Sequence, residues 1–227
     1  HGEVEYFTAE GRPLPPAELT LTSTGEAQAR AVGRLLADAR VAIDRAWTSG
    51  LPRTRATAEQ VLDAMGSAIA IEHDERLEEI RPGRLADIPQ AELRQAFITP
   101  FEGAVPLATP FLGGETIGEM VERVLPGLHG LLAERDWDTA LLVAHGGVNR
   151  ALLSWFLTGA PSFLGGLAQD PGCLNISDIG PGQAQSVVRV VELCPLEPLQ
   201  TGTRASTMEH LLQQYLRRNA NVIEDHE

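Results

Sequence analysis

The 227-residue chain carries 18 basic and 31 acidic residues, a formal net charge of -13, and 43% of it is hydrophobic. That charge sets it against nucleic-acid backbones and anionic membrane surfaces, and its apolar runs fall short of the ~20 residues a membrane helix needs. Every basic residue is arginine, so lysine Schiff-base and lysine general-base chemistry are excluded, and any anion pocket is built from planar guanidinium forks.

The length suits one domain spanning 1–227, with a cap at about 86–115 and a C-terminal helical tail at about 206–227. Ser23 with Glu26 reads as a capping box, followed by Ala27, Ala31, Val32, Leu35 and Leu36 at helical spacing. A short strand is predicted over Ala42 to Thr48, and a helix opens at Pro52, which places Arg53 in its first turn. A second short strand follows at Ala68 to Glu72, then a loop from Leu77 to Asp87 and a short helix from Gln90 to Phe97. Between Phe97 and Gly114 three prolines and scattered apolar residues show no period, which predicts an irregular cap. Thr116 with Glu119 caps the next helix, which Pro126 should kink.

The continuous apolar run Thr139 to Ala144 predicts a buried strand ending at His145-Gly146-Gly147, with a helix after it through Leu157. A Gly-, Pro- and Leu-rich insertion around Gly159 to Gly172 is expected to pack either on the cap or on another subunit. Strands are predicted at Asn175 to Ile179 and Ser186 to Leu193, and an amphipathic helix through Met208, Leu211, Leu212, Tyr215 and Leu216 leads into a polar tail expected to be disordered. Strands alternating with helices predict an α/β fold, a three-layer α/β/α sandwich with a mainly parallel central sheet and a small cap insertion. Cys173 and Cys194 lack the close spacing of a zinc or redox pair, so a reducing, cytoplasmic home is expected. His73, His129, His210 and His226 have no metal spacing, so neither a metal site nor a cofactor is expected.

Four local patterns carry the chemistry. They are His1-Gly2-Glu3 with Leu21-Thr22, Gly25 and Gln28-Ala29; Ser49, Leu51, Arg53, Thr57 and Ala58; Leu77-Glu78-Glu79-Ile80 with Gly83; and His145-Gly146-Gly147. Each is weak alone, but in this order, each at a predicted strand end or helix start, the set resembles the histidine phosphatase family from His1 to about Arg189. The resemblance implies that His1 attacks phosphorus and becomes phosphohistidine. It also implies that Arg53, Gly146 and His145 surround the phosphoryl oxygens, and that Glu79 is general acid for the leaving alcohol and then base for water. Glu78 is the adjacent alternative, and register with the family pattern favours Glu79. The resemblance further implies a buried first strand and another arginine just before His1, since the sequence starts without an initiator methionine.

Charge alone does not assign Arg55, Arg81, Arg84, Tyr6 or Glu115 to the site, and each is read as solvent-facing. Hydrolysis, mutase chemistry and a catalytically inactive binding module of the same fold are the competing functions. Mutases of the family have serine and asparagine where this chain has Val4 and Phe7, and lysine with paired arginines in a cap that here holds no basic residue between Arg94 and Arg123. Two glycines also follow the second histidine instead of glycine-asparagine. The expectation is a metal-independent phosphatase acting on a small-molecule phosphate monoester, with no nucleic-acid or membrane partner. The oligomeric state is open, a homodimer included.

Overall fold

A computed structural model of the chain describes residues 1–8, 12–134, 136–180, 186–198 and 205–224, with side chains of the last helix described as far as residue 217. Its centre is a parallel sheet of β1 (Arg45–Thr48), β2 (Ile71–His73) and β3 (Ala140–Val143) in the order β2-β1-β3. The register pairs Ala46 with Ile71 on one side and with Leu141 on the other. Side chains alternate across a strand, so β1 sends Ala46 to one face and Trp47 to the other. On the Ala46 face lie α1 (Ser23–Asp38) and α2 (Pro52–Met65), closing a core of Ala29, Val32, Leu36, Ala58, Val61 and Leu62 with Leu141 and Val143. Gly33 lets the two helices approach, because a Cβ there would sit 2.4 Å from the Val61 carbonyl oxygen.

On the Trp47 face lie α4 (Ile117–Ala133) and α5 (Gly146–Thr158), whose Met120, Val124, Leu128, Val148 and Leu152 belong to the larger core. The fold is thus the α/β/α arrangement expected from the sequence, with one refinement. The two late strands, β4 (Leu174–Asp178) and β5 (Val187–Leu193), pair antiparallel with each other in a separate two-stranded sheet.

The box at Thr116 and Glu119 forms reciprocally, and α4 continues through Pro126. The cap of α1 is a correction: Thr22, not Ser23, accepts the Gly25 N–H, because Ser23 is already the first helical residue. The segment preceding α4 folds as short 3-10 turns around the six-residue α3 (Leu93–Ile98). The Gly159 to Gly172 insertion packs on that cap: Val105 N donates to Phe163 O, and Phe101 meets Phe163 edge-on at 6.4 Å. The last helix, α6 (Thr207–Glu224), buries Leu212 and sets Tyr215 between Phe7 and Phe97. The polar tail, including His226, lies outside the described residues. Among the described residues no helix is long and apolar enough to cross a membrane.

Candidate active site

The carboxyl ends of the three parallel strands point at one place, where open α/β sheets bind ligands. Just beyond β1 come Ser49 and Arg53, beyond β2 the loop bearing Glu79, and beyond β3 His145. The chain start lies among them, since the His1 backbone nitrogen donates to Ala144 O at 3.0 Å and Gly172 N donates to His1 O at 2.8 Å. His1, Arg53, Glu79, His145 and Gly146, read separately from the sequence, are therefore brought together.

Two contacts define the protonation of His1. Its Nδ1 lies 2.8 Å from Gly2 O, and a carbonyl can only accept, so Nδ1 carries the hydrogen. Arg53 Nε donates to His1 Nε2 at 3.3 Å, so the Nε2 lone pair is bare and faces a guanidinium. The segment is held from both sides: Gly2 N donates to Thr57 Oγ1 and Glu3 N to the Gln28 amide oxygen.

Arg53 is a buried cation at the N-terminal turn of a helix, where the dipole opposes it. It has no carboxylate at ion-pair distance among the described residues; its Nη1 donates to Pro16 O. Burial lowers its pKa, with Tyr6 and Glu79 opposing that shift. A desolvated cation with this surround is an anion-binding group.

His145 is 1% exposed and meets His1 edge-on at 5.1 Å between ring centroids. Its Nε2 lies 2.8 Å from Ser49 Oγ, while its Nδ1 is buried with no hydrogen-bond partner among the described residues. Burial first, and Arg53 second, hold its pKa well below the ordinary histidine value, so the ring is neutral. Gly146 begins α5, and a Cβ on it would meet Arg150 Nη1 at 3.2 Å and Glu79 Oε2 at 4.0 Å.

Glu79 Oε1 accepts from Ile80 N and Oε2 from Gly147 N, which aims its carboxylate at the start of α5. Glu78 pairs with Arg81 at 3.5 Å and also acts on Arg53 by its charge. Arg123 of α4 holds this loop by donating to the carbonyls of Arg76, Glu78 and Glu79. It is itself gripped by Glu115 at 2.7 and 2.9 Å. Burial opposes ionisation of Glu115, but the bonds from Arg123 and Arg81 N, with the nearby guanidinium charges, outweigh it and leave the carboxyl below its usual range.

Two residues read as solvent-facing are corrected. Glu115 is this internal clamp, and Tyr6 is desolvated within the fields of Arg53 and Glu79, its phenol pushed up to about 12 by burial foremost. Arg55 and Arg84 do face solvent, the former paired with Glu59 and the latter with Asp87. Sequence reasoning passed over Arg150, which donates to Gly146 O and Gly165 O and lies 4.9 Å over the Phe101 ring, at the seam of cap and site. Its position one turn into α5 was the only signal available.

The chain is similar to known proteins along most of its length. The model of the histidine phosphatase superfamily (branch 1) matches residues 1–192. A protein of Erwinia tasmaniensis named as a probable phosphoglycerate mutase, GpmB, is 33% identical over 170 residues, covering 71% of this chain and 74% of that protein. A 2,3-bisphosphoglycerate-dependent phosphoglycerate mutase of Azorhizobium caulinodans is 31% identical over 165 residues, 67% of this chain and 76% of that one. Among solved structures, a mycobacterial glucosyl-3-phosphoglycerate phosphatase with inorganic phosphate superposes with a TM-score of 0.67 at 20% identity, covering 86% of this chain and 95% of that one. Bacillus stearothermophilus YhfR superposes with a TM-score of 0.63 at 26% identity, covering 84% and 92%. With the four motifs meeting at one strand end and the family model spanning residues 1–192, the chain belongs to the histidine phosphatase superfamily, branch 1.

Proposed function

We propose that the chain is a phosphomonoesterase that works without a metal ion, through a phosphohistidine, on a small phosphorylated substrate. The observation that carries this reading is the pair of contacts on His1: the proton sits on Nδ1 against Gly2 O, and the bare Nε2 faces Arg53. A neutral imidazole so oriented is a nucleophile with its electrostatic partner in place.

In the first step His1 Nε2 bonds to phosphorus and the ester P–O bond breaks, with Glu79 giving its proton to the departing oxygen. Arg53, His145 and the Gly146 backbone take the phosphoryl oxygens. In the second step Glu79 takes a proton from water as the oxygen attacks phosphorus. The P–N bond then breaks, its electron pair returns to Nε2, and inorganic phosphate leaves. Val4 and Phe7, both buried, offer no side-chain donor to a second phosphate, which supports hydrolysis over transfer back to the substrate. One observation favours the mutase reading instead: the half-buried Arg150 has no ion-pair carboxylate among the described residues and could hold a second anionic group. We place the activity in the cytoplasm on the cysteine usage.

The test is hydrolysis of para-nitrophenyl phosphate with EDTA present, by wild type and His1→Ala, with acid-labile phosphoprotein trapped at short times. Turnover and trapped label that both vanish in the variant support the reading. Turnover unchanged in His1→Ala would overturn it, and phosphoglycerate interconversion outpacing hydrolysis would favour the mutase.

A further inference from the structure

His145 presents a counting problem that its neighbours solve. Thr54 Oγ1 lies 2.8 Å from Leu51 O, a separation that is repulsive between oxygens unless a hydrogen lies between them, so Thr54 donates there. Thr54 has no second hydrogen, and therefore in its 3.0 Å contact with Ser49 Oγ the donor is Ser49. Ser49 in turn has no hydrogen left for His145, so at 2.8 Å it accepts from Nε2–H. A neutral imidazole protonated at Nε2 has a bare lone pair at Nδ1, the buried atom that has no hydrogen-bond partner among the described residues. The groups facing this ring are His1 from the chain start, Ser49 from the β1–α2 turn and Arg53 from α2. Arg123 of α4 and the amino group of His1 act at longer range, and the Glu79 carboxylate binds the next turn at Gly147 N. Among the described residues no group meets Nδ1, which leaves it to an oxygen of a bound phosphoryl ligand.

Resting on the phosphatase reading above, we propose that the site takes its ligand with one proton held between a phosphoryl oxygen and His145 Nδ1. It therefore selects the singly protonated monoester over the dianion, with Ser49 and Thr54 as the positioning residues that enforce this. A dianionic ester offers only acceptors to a lone pair, whereas a P–OH donates to it. Placing the proton on Nδ1 beside a dianion gives the same count and the same pH law. A monoester loses this proton near pH 6, so the preference is for mildly acid conditions. Inorganic phosphate keeps a hydroxyl even as a dianion and fits as product, whereas sulfate has no proton to give.

The experiment is calorimetric binding of inorganic phosphate and of sulfate at pH 7.5 to wild type, Ser49→Ala and Thr54→Val. Either substitution releases the hydroxyl chain and lets His145 carry its hydrogen on Nδ1. Wild type should prefer phosphate by roughly tenfold or more, the scale of one unmade buried hydrogen bond, and both variants should narrow the ratio to a few-fold. In parallel, kcat/KM of wild type divided by that of Ser49→Ala, for an alkyl monophosphate, should fall about tenfold per pH unit above the second ionisation of the substrate near pH 6. A merely structural role for Ser49 would leave that quotient flat. Equal affinity for sulfate and phosphate in wild type, an unchanged ratio in both variants, or no binding of either anion overturns the proposal. If the anion selectivity holds but His1-dependent hydrolysis is absent, the phosphatase reading fails and the selection of a protonated ligand stands.

Discussion

Gly2 and Gly25 meet backbone against backbone: a Cβ on Gly2 would fall 2.4 Å from Gly25 O, and one on Gly25 would fall 2.2 Å from Glu3 O. The start of α1 thus abuts the peptide that follows His1, and no side chain can intervene without moving His1. Gly25→Ala is expected to cost about 1–3 kcal/mol by overpacking and to lower kcat/KM by more than tenfold, because a displacement near 1 Å ruins in-line geometry. Urea denaturation and turnover are measured together. A variant as stable and as active as wild type would show that this contact does not position His1.

Arg53 makes a second, opposite pairing of stability with activity. It is a buried cation with no carboxylate partner among the described residues, and its Nε donates to His1 Nε2. Arg53→Met should lower kcat/KM by about 10²–10³ while leaving stability equal or higher, since a desolvated charge is removed. Inorganic phosphate should raise the Tm of wild type and not that of the variant, because only the state that binds it is stabilised. An equal Tm rise in both would remove Arg53 from the anion site.

Much of this site was readable because its residues sit at local punctuation: Pro52 opens α2 and so places Arg53, and the apolar run of β3 ends at His145. What could not be read is what depends on distant packing. Thr22 rather than Ser23 caps α1 because Glu3, brought alongside, accepts its hydroxyl at 2.8 Å while its oxygen takes Gly25 N. Tyr6 and Glu115 carry no local sign of burial; Tyr6 lies within the fields of Arg53 and Glu79, and Glu115 accepts from Arg81 N well back in the chain as well as from Arg123 of the helix that follows it. Whether β4 and β5 joined the parallel sheet or paired apart was likewise a question of topology, which strand periodicity does not address.

Glu79 should reveal itself through the leaving group. Glu79→Gln is close in shape and keeps one acceptor, for Ile80 N or for Gly147 N but not both, and it has no proton to deliver. Hydrolysis of an alkyl monophosphate should fall by about 10²–10⁴, the usual contribution of a positioned acid. Para-nitrophenyl phosphate, whose leaving group departs unprotonated, should lose far less in the phosphoryl-transfer step measured as a burst. Equal losses for both esters would assign the acid elsewhere, and Glu78→Gln is the matched control because the neighbouring carboxylate pairs with Arg81 and accepts from neither Ile80 N nor Gly147 N.

The Arg123–Glu115 pair carries the acid loop on its back. Arg123→Met leaves Glu115 buried without its guanidinium and frees the carbonyls of Glu78 and Glu79, so about 3–5 kcal/mol should be lost, together with activity. The double variant Arg123→Met with Glu115→Leu removes the stranded charge and should recover stability but not kcat, because the loop is still untied. Recovery of both would show that the clamp serves folding alone.

Acid should weaken the fold through His145. Its pKa is depressed in the folded chain, by burial first and Arg53 second, below the ordinary value of 6.5. The unfolded chain therefore binds a proton at a pH where the folded chain does not, and the slope of stability with pH is positive there. The contribution of His145 is fully present above pH 6.5 and is lost as pH falls through its folded value, at up to about 1.4 kcal/mol per unit. Asp74 and Glu115, whose pKa values are also lowered, add acid sensitivity of the same sign, so the comparison must be made between proteins and not between pH values alone. His145→Asn removes the titration while keeping a polar group beside Ser49. The stability difference between wild type and this variant, from urea midpoints at pH 7.5 and 5.5, should shrink toward the acid side. A constant difference would mean that His145 binds protons equally in the folded and unfolded chains. A difference growing toward the acid side would mean that it is charged in the fold, where the bare Nδ1 on which the anion selectivity depends would not exist.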